Sequence, residues 1–310
     1  GSAETMHHST SPALVNLWSR SVRHAIFKAE LLQGLQYDVG LGSGNCQLSY
    51  RAPSDTDAQH LACLQRPSES ILKDQLEYVR NYAFLRNERA VEIEVQVSDI
   101  HSFVASVVGL QPRRFRYTLE LLEVVQSVTV LVEMRIKHAL GVKRPVEFSP
   151  QVQPMIPTPQ HGSYPSGHTT EAFIAAFMID GLIRAASARP IDTEDLRFVQ
   201  LMRHAERIAL NRVVAGVHFP IDNAAGMVLA WTLSEYYMRR FGEFGTLHSR
   251  NFDGTDTDPF DYRRVLNCYG GTPLPEIGAS PELVVLWLEA KKEWEGTYIP
   301  LEECDEGEEQ

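Results

Sequence analysis

The chain reads as mostly α, with at least six long helices. Three observations predict this. Apolar residues recur three or four apart over long stretches, as in Leu119, Leu122, Val125, Val128, Val132 and Ile136. Prolines and cap residues punctuate those stretches at helix-length intervals. The one clear alternating stretch, Val91, Ile93, Val95 and Val97, is a strand signal taken alone. Helical patterns flank it and no partner strand is evident, so helix is expected there too.

In chain order, Ala13–Leu32 is a helical patch, followed by a Gly/Ser-rich loop at Gly40–Gly44. Pro67 and Ser68 offer a helix start, with Leu72, Leu76, Val79 and Ala83 spaced behind it. Pro112 is expected to open a long helix running to about Val142 and stopped by Pro145, since proline disfavours helical backbone in the residue before it. Pro150–Pro165 is a proline-rich loop. A helix is expected from about Gly167 to Ala188. Another begins near Asp192 or Thr193, where Thr193-Glu194-Asp195 supplies acidic residues to the first turn, and reaches about Val214. Ala215-Gly216-Val217 breaks it, and Pro220, at an accepted first-turn position, opens a helix to Phe241. Gly242–Pro275 is polar and turn-rich, with a turn at Asn251–Gly254. Pro281–Glu295 reads as an amphipathic helix and Glu302–Gln310 as a disordered acidic tail. The organisation expected is one helical domain over 1–310: N-terminal helices and loops to 110, a helical core over 111–241, a loop and helix over 242–301, then the tail.

Bulk properties narrow the partners. The net charge is −11, which argues against nucleic acid and anionic membranes. The longest apolar stretches, Ala172–Ile179 and Ala224–Leu233, are interrupted well short of the ~20 residues of a membrane span. Cys46, Cys63, Cys268 and Cys304 fit no zinc pattern and read as free or peripheral thiols. Gly1-Ser2 has the look of a cloning scar. The compartment therefore stays open: soluble, cytoplasmic or exported with a leader removed. The amphipathic N-terminal helices are compatible with a homodimer.

Three short segments concentrate the chemistry: Lys137–Pro145 (K-x6-R-P), Pro165–His168 (P-S-G-H) and Arg212–Asp222 (R-x5-H-x3-D). Lys137 and Arg144 are seven apart, nearly two turns at about 100° per residue, so a continuous helix would put both on one stripe that an anion stabilises. A solvated basic face is the bland alternative, and Lys143 fits it better. Ser166-Gly167-His168 precedes a helix. Its unpaired N–H groups accept an anion, Gly167 admits close approach, Ser166 adds a hydroxyl, and His168 can transfer a proton. Alone, this is also what a serine cap looks like. His218 and Asp222, four apart, are neighbours on a helix. The carboxylate would fix the imidazole tautomer, while Arg212 offers a planar fork to an oxyanion. A helix-end ion pair is the plain alternative. Together, in this order, the segments form the inventory of a tetrahedral-oxyanion pocket.

These segments resemble the signature of the vanadium-dependent haloperoxidases and the acid phosphatase and phosphatidic acid phosphatase superfamily. The resemblance covers about 120–240. Asn211 stands where the family usually has Ser, which puts one supporting hydrogen bond in doubt. The resemblance implies an all-α helical bundle with the pocket between core helices. It implies that Lys137, Arg144, Arg212, Ser166 and the Gly167 amide hold the oxyanion oxygens. Charge-assisted bonds of this kind contribute about 1.5–3 kcal/mol each. His218 would bond to the central atom, as vanadate ligand or phosphoryl acceptor, with Asp222 orienting it and His168 as acid–base. The cofactor implied is vanadate, with hydrogen peroxide and halide as substrates; a phosphatase would need no cofactor and would take a phosphomonoester. A non-catalytic oxyanion binder would have no use for His168 or for an oriented His218.

His161 separates the readings. It lies seven residues before His168, at a position that in bromide-using haloperoxidases resembles a histidine near the vanadate, where chloride-using relatives tend to have phenylalanine. It could equally be a solvent-facing loop histidine. The run Gly162–Thr170 is also similar to soluble bacterial acid phosphatases. The balance favours a vanadate-dependent haloperoxidase using bromide or iodide, nearest to bacterial bromoperoxidase-like proteins, with a soluble acid phosphatase acting through a phosphohistidine as the alternative. His138 and His204 match no family position and are left out of the site.

Overall fold

The computed structural model describes residues 12–39, 44–187, 193 and 195–297. The N-terminal part carries helices α1 (Pro12–Leu17) and α2 (Arg20–Leu32), then strands β1 (Leu35–Val39), β2 (Asn45–Tyr50) and β3 (Gln59–Gln65). Helices α3 (Glu69–Tyr82), α4 (Arg86–Val95), α5 (His101–Val108), α6 (Arg116–Leu140) and the short α7 (Pro145–Phe148) follow. Next come α8 (Gly167–Ser187), α9 (Leu196–Val214) and α10 (Pro220–Arg240). The chain closes with β4 (His248–Phe252), α11 (Tyr262–Cys268), β5 (Thr272–Pro273) and α12 (Pro281–Lys292). The helix over the alternating valines, the break at 215–217 and the start at Pro220 agree with the sequence reading.

The architecture is mainly helical but not all-α, which corrects the expected fold class. A five-stranded mixed sheet runs in the order β1-β2-β3-β4-β5. Its first three strands form an antiparallel meander, β3 pairs β4 in parallel, and β5 adds antiparallel to β4. The sequence places helices and loops in the N-terminal part and turns over Gly242–Pro275, because each strand is short. The parallel partner of β3 lies far along the chain (Ala62 pairs with Arg250), and no local pattern announces it. The alternation Cys46, Leu48, Tyr50 was a usable signal: all three are buried.

Several boundaries also move. Pro112 lies in a turn and α6 starts at Arg116. The helix ends at Leu140 because Gly141 adopts a left-handed backbone (φ 55°) whose N–H donates to Lys137 O. Pro145 therefore opens α7 rather than closing α6. Helix α9 begins at Leu196, where the Asp195 side chain accepts from Arg197 N at 2.8 Å. Ser68 accepts from Ile71 N to cap α3, as expected. Residues 40–43, Glu194, Ala188, Cys304 and the acidic tail lie outside the described residues.

Helix α8 is central, packed by α6, α9 and α10. It is buried nearly all round, from Ala172 to Ile179, which is why its apolar run lacks a polar face. The sheet lies against α6 and α10. One connected core takes side chains from α2, β2, β3, α6, α8, α10 and α12, among them Phe27, Leu64, Val125, Phe173, Tyr236 and Leu286. No described helix is long and apolar enough to cross a membrane. Cys46, Cys63 and Cys268 are free thiols.

Candidate functional site

Four helix termini converge on one buried point. The C-terminal turn of α6 brings Lys137, the N-terminus of α8 brings Ser166, Gly167 and His168, and the junction of α9 and α10 brings Arg212, His218 and Asp222. Lys137, Arg144, Ser166, Arg212, His218 and Asp222 are each at most 4% exposed.

His218 is the focus. It sits before the first turn of α10, and the Asp222 carboxylate accepts both its Nδ1–H (2.9 Å) and the Phe219 backbone N–H (3.0 Å). The two residues are neighbours through a helix cap, not along one helix face as the four-residue spacing suggested. With Nδ1 carrying the proton, Nε2 keeps its lone pair, and Arg144 Nη1 donates to it at 3.1 Å. Burial holds His218 well below the usual imidazole range, and Arg144, Lys137, His168 and Arg212 add to the shift, in that order. All four neighbours thus act on the same ring. Burial pushes Asp222 up to about 6, so it is ionised at neutral pH.

Arg144 reaches the site by a different route from the one its spacing implied. The helix carrying Lys137 ends before it, so the two share no stripe. Arg144 is extended (φ −79°, ψ 157°) at the entry to α7. Its guanidinium donates to Val217 O (2.8 Å), His161 O (3.2 Å) and Gly162 O (3.3 Å). Lys137 Nζ turns to the loop, donating to Ser163 O at 3.1 Å and to Pro165 O. Burial lowers its pKa.

Arg212 behaves differently. Its Nη2 donates to Ile93 O and Gln96 Oε1, both at 3.1 Å, while Nε and Nη1 are buried without a partner. Buried unsatisfied guanidinium donors are costly, and oxyanion oxygens are acceptors that would satisfy them. Together with the cations around His218, this donor set fits a tetrahedral oxyanion such as phosphate or vanadate. Among the described residues no cluster of three or more His, Cys, Asp or Glu suits a bare metal ion.

Around Gly167 the start of α8 is closely packed. Ser166 N donates to Asp222 O (2.9 Å), and Thr169 Oγ1 lies 2.8 Å from both Ser166 Oγ and Asn223 Oδ1. The Ser166 hydroxyl is thus engaged within the fold. His168 is half-buried, with Nε2 3.1 Å from Gln96 O. A carbonyl can only accept, so Nε2 carries the proton and Nδ1 is the basic nitrogen. Burial, then Arg212, pulls its pKa down to about 3.

His161 is exposed, yet its Nδ1 is 3.3 Å from Arg144 Nη2. It stands at the edge of a surface cleft of about 420 Å³, lined also by Lys143, Glu147, Thr158 and Gln160. Arg144 therefore joins the cleft to His218. Lys143 pairs with Glu69 at 3.1 Å on the surface, and His204 stacks against Phe103.

Sequence reasoning missed two residues at this point. Gln96 lies just beyond α4 and is fully buried; its side chain accepts from Asn211 Nδ2 (2.9 Å) and Arg212, while its carbonyl meets His168. Asn211, the departure from the family pattern, is tied through Nδ2 to Glu92 and Gln96 and through Oδ1 to Arg89. Glu133 is buried beside Gly167: a Cβ there would meet Glu133 Oε1 at 2.5 Å. Glu133 lies one turn before Lys137 and was findable from that spacing. Gln96 carried no local signal.

Residues 117–244 match the family model of the PAP2 superfamily. That superfamily consists of enzymes, phosphatases and haloperoxidases among them. The match contains all three cationic segments and every candidate residue from Lys137 to Asp222, but not α4 or the N-terminal strands. The comparison with curated proteins found no match.

Proposed function

We propose that this chain is a vanadate-dependent haloperoxidase that oxidises bromide or iodide with hydrogen peroxide to a hypohalous acid equivalent. The observation that carries the reading is the double contact of Arg144, on His218 Nε2 at 3.1 Å and on His161 Nδ1 at 3.3 Å. It links a rim histidine, of the kind found in the bromide-using relatives, to the oxyanion centre.

His218 Nε2 would hold the vanadium of vanadate, with Arg144, Arg212, Lys137 and the Gly167 amide on its oxygens. Bound vanadate supplies Lewis-acid activation of peroxide toward a halide nucleophile. His168 takes the peroxide proton on Nδ1. Its lowered pKa leaves that nitrogen unprotonated at neutral pH. Asp222 keeps the His218 proton on Nδ1, and His161 at the cleft mouth would receive the halide.

The run Gly162–Thr170 supports a second reading, a phosphomonoesterase. There His218 Nε2 attacks phosphorus, the P–N bond forms as the P–O bond to the alcohol breaks, and a protonated His168 gives the leaving oxygen its proton. Water then cleaves the phosphohistidine.

One pair of assays separates them. The full chain is incubated with orthovanadate, peroxide and bromide while bromination of a phenol dye is followed, and separately with an aryl phosphate. Vanadate-dependent bromination is expected, with bromide and iodide preferred to chloride. Phosphate release without bromination would replace the first reading by the second. His218→Ala is expected to lower either activity by about 10³-fold or more; tight vanadate binding by that variant would show that the ligand lies elsewhere.

A further inference from the structure

A buried carboxyl group beside Gly167 is used by neither reading. Glu133 is 4% exposed and sits on α6 directly against Gly167 of α8. Its Oε2 is buried without a hydrogen-bond partner. Lys137, one turn away on α6, gives its ammonium to loop carbonyls instead. The other titratable groups that face Glu133 are Glu171 from α8 and Tyr237 from α10; Arg144 and Asp222 act on Lys137 beyond it. Glu171 accepts from Gln126 Nε2 at 2.5 Å.

An ionised carboxylate at this point would oppose the oxyanion that three cations are arranged to hold. A neutral carboxylic acid removes that repulsion and has one O–H to give. We propose that Glu133 is held as a neutral carboxylic acid and donates a hydrogen bond to the oxyanion bound beside Gly167. Burial favours the neutral form first, Glu171 adds to it and Lys137 opposes it, with the result that the group ionises at about 8. The inference rests on the oxyanion reading of the site but not on which reaction follows.

The test is calorimetric titration of the full chain with orthophosphate and with orthovanadate at neutral pH, for the wild type, Glu133→Gln and Glu133→Ala. Infrared difference spectra are recorded with and without the anion. Glu133→Gln keeps a neutral donor and is expected to bind within about threefold of the wild type; Glu133→Ala is expected to bind about tenfold more weakly. The wild type should show the carbonyl stretch of a protonated carboxyl, shifted on anion binding and missing from Glu133→Gln. Equal binding by all three proteins, or no protonated-carboxyl band assignable to Glu133, overturns the proposal. If Glu133→Ala fails to fold, the Gln titration and the spectra still decide. No binding of either anion by the wild type sinks this inference and the oxyanion reading together, whereas wild-type binding with unaffected variants removes Glu133 alone.

Discussion

At the residue scale, the site consists of groups whose second contacts dictate what their first contacts can do. Asp222 holds the proton on His218 Nδ1, and Gln96 O holds the proton on His168 Nε2. Each fixes which ring nitrogen keeps its lone pair. The Gln96 side chain also aims Arg212 through Nη2, leaving Nε and Nη1 unsatisfied. Gln96→Met keeps the volume and removes the acceptor. It should weaken orthophosphate binding about tenfold, measured by calorimetry, because Arg212 and Asn211 lose a shared partner. Unchanged affinity would mean that Ile93 O alone positions Arg212. The identities of Lys137, Arg144, His168, Arg212, His218 and Asp222 were legible from motif order alone. Gln96 was not, since nothing in its own segment distinguishes it from any buried glutamine.

At the element scale, helix ends rather than helix faces build the pocket. Lys137 and Arg144 share no stripe because Gly141 ends α6 between them; the two side chains still meet at the carbonyl of Gly162. Close packing holds the start of α8 against α10. A Cβ on Gly226 would lie 2.8 Å from Ser166 O and 3.2 Å from Thr169 Cβ. The first of these is backbone and cannot swing aside. Gly226→Ala should therefore cost about 1–3 kcal/mol of stability and lower activity by shifting Ser166 and Gly167. A denaturant titration and the assays above check it; a wild-type midpoint would show that α8 and α10 slide apart freely.

At the scale of the whole molecule, burying cations and histidines together carries a pH cost. His168 and His218 titrate lower in the folded chain than in the unfolded one, where imidazole binds its proton near 6.5. Their neutral forms are fully compatible with folding above that value. Below it the unfolded chain binds protons first, so stability falls as pH drops toward about 3. Asp222 works the other way, since its raised pKa, about 6, favours the folded chain as pH falls toward its unfolded value of about 4. Glu133, raised to about 8, works in the same direction as Asp222, so two carboxyls oppose two imidazoles and the thermal midpoint of the anion-free protein should change little between about pH 6.5 and 4. Glu133→Gln removes one carboxyl from that balance and should make the midpoint fall over the same range; a profile identical to the wild type would show that Glu133 is not held neutral in the folded chain. The mixed sheet acts at the same scale: β3 and β4 join the N-terminal and C-terminal parts around α6 and α10.

The sequence by itself determined the long helices and the kinds and order of residues at the candidate site. Both are local: a period of 3.6 and a motif are read within a few residues of one another. Only the tertiary structure decided that β3 pairs with β4, that Arg144 meets His218 from outside the helix carrying Lys137, and that Gln96 and Glu133 press on the oxyanion residues. Those contacts join segments distant in the chain, and they are selected by burial and hydrogen-bond satisfaction, which no local spacing records.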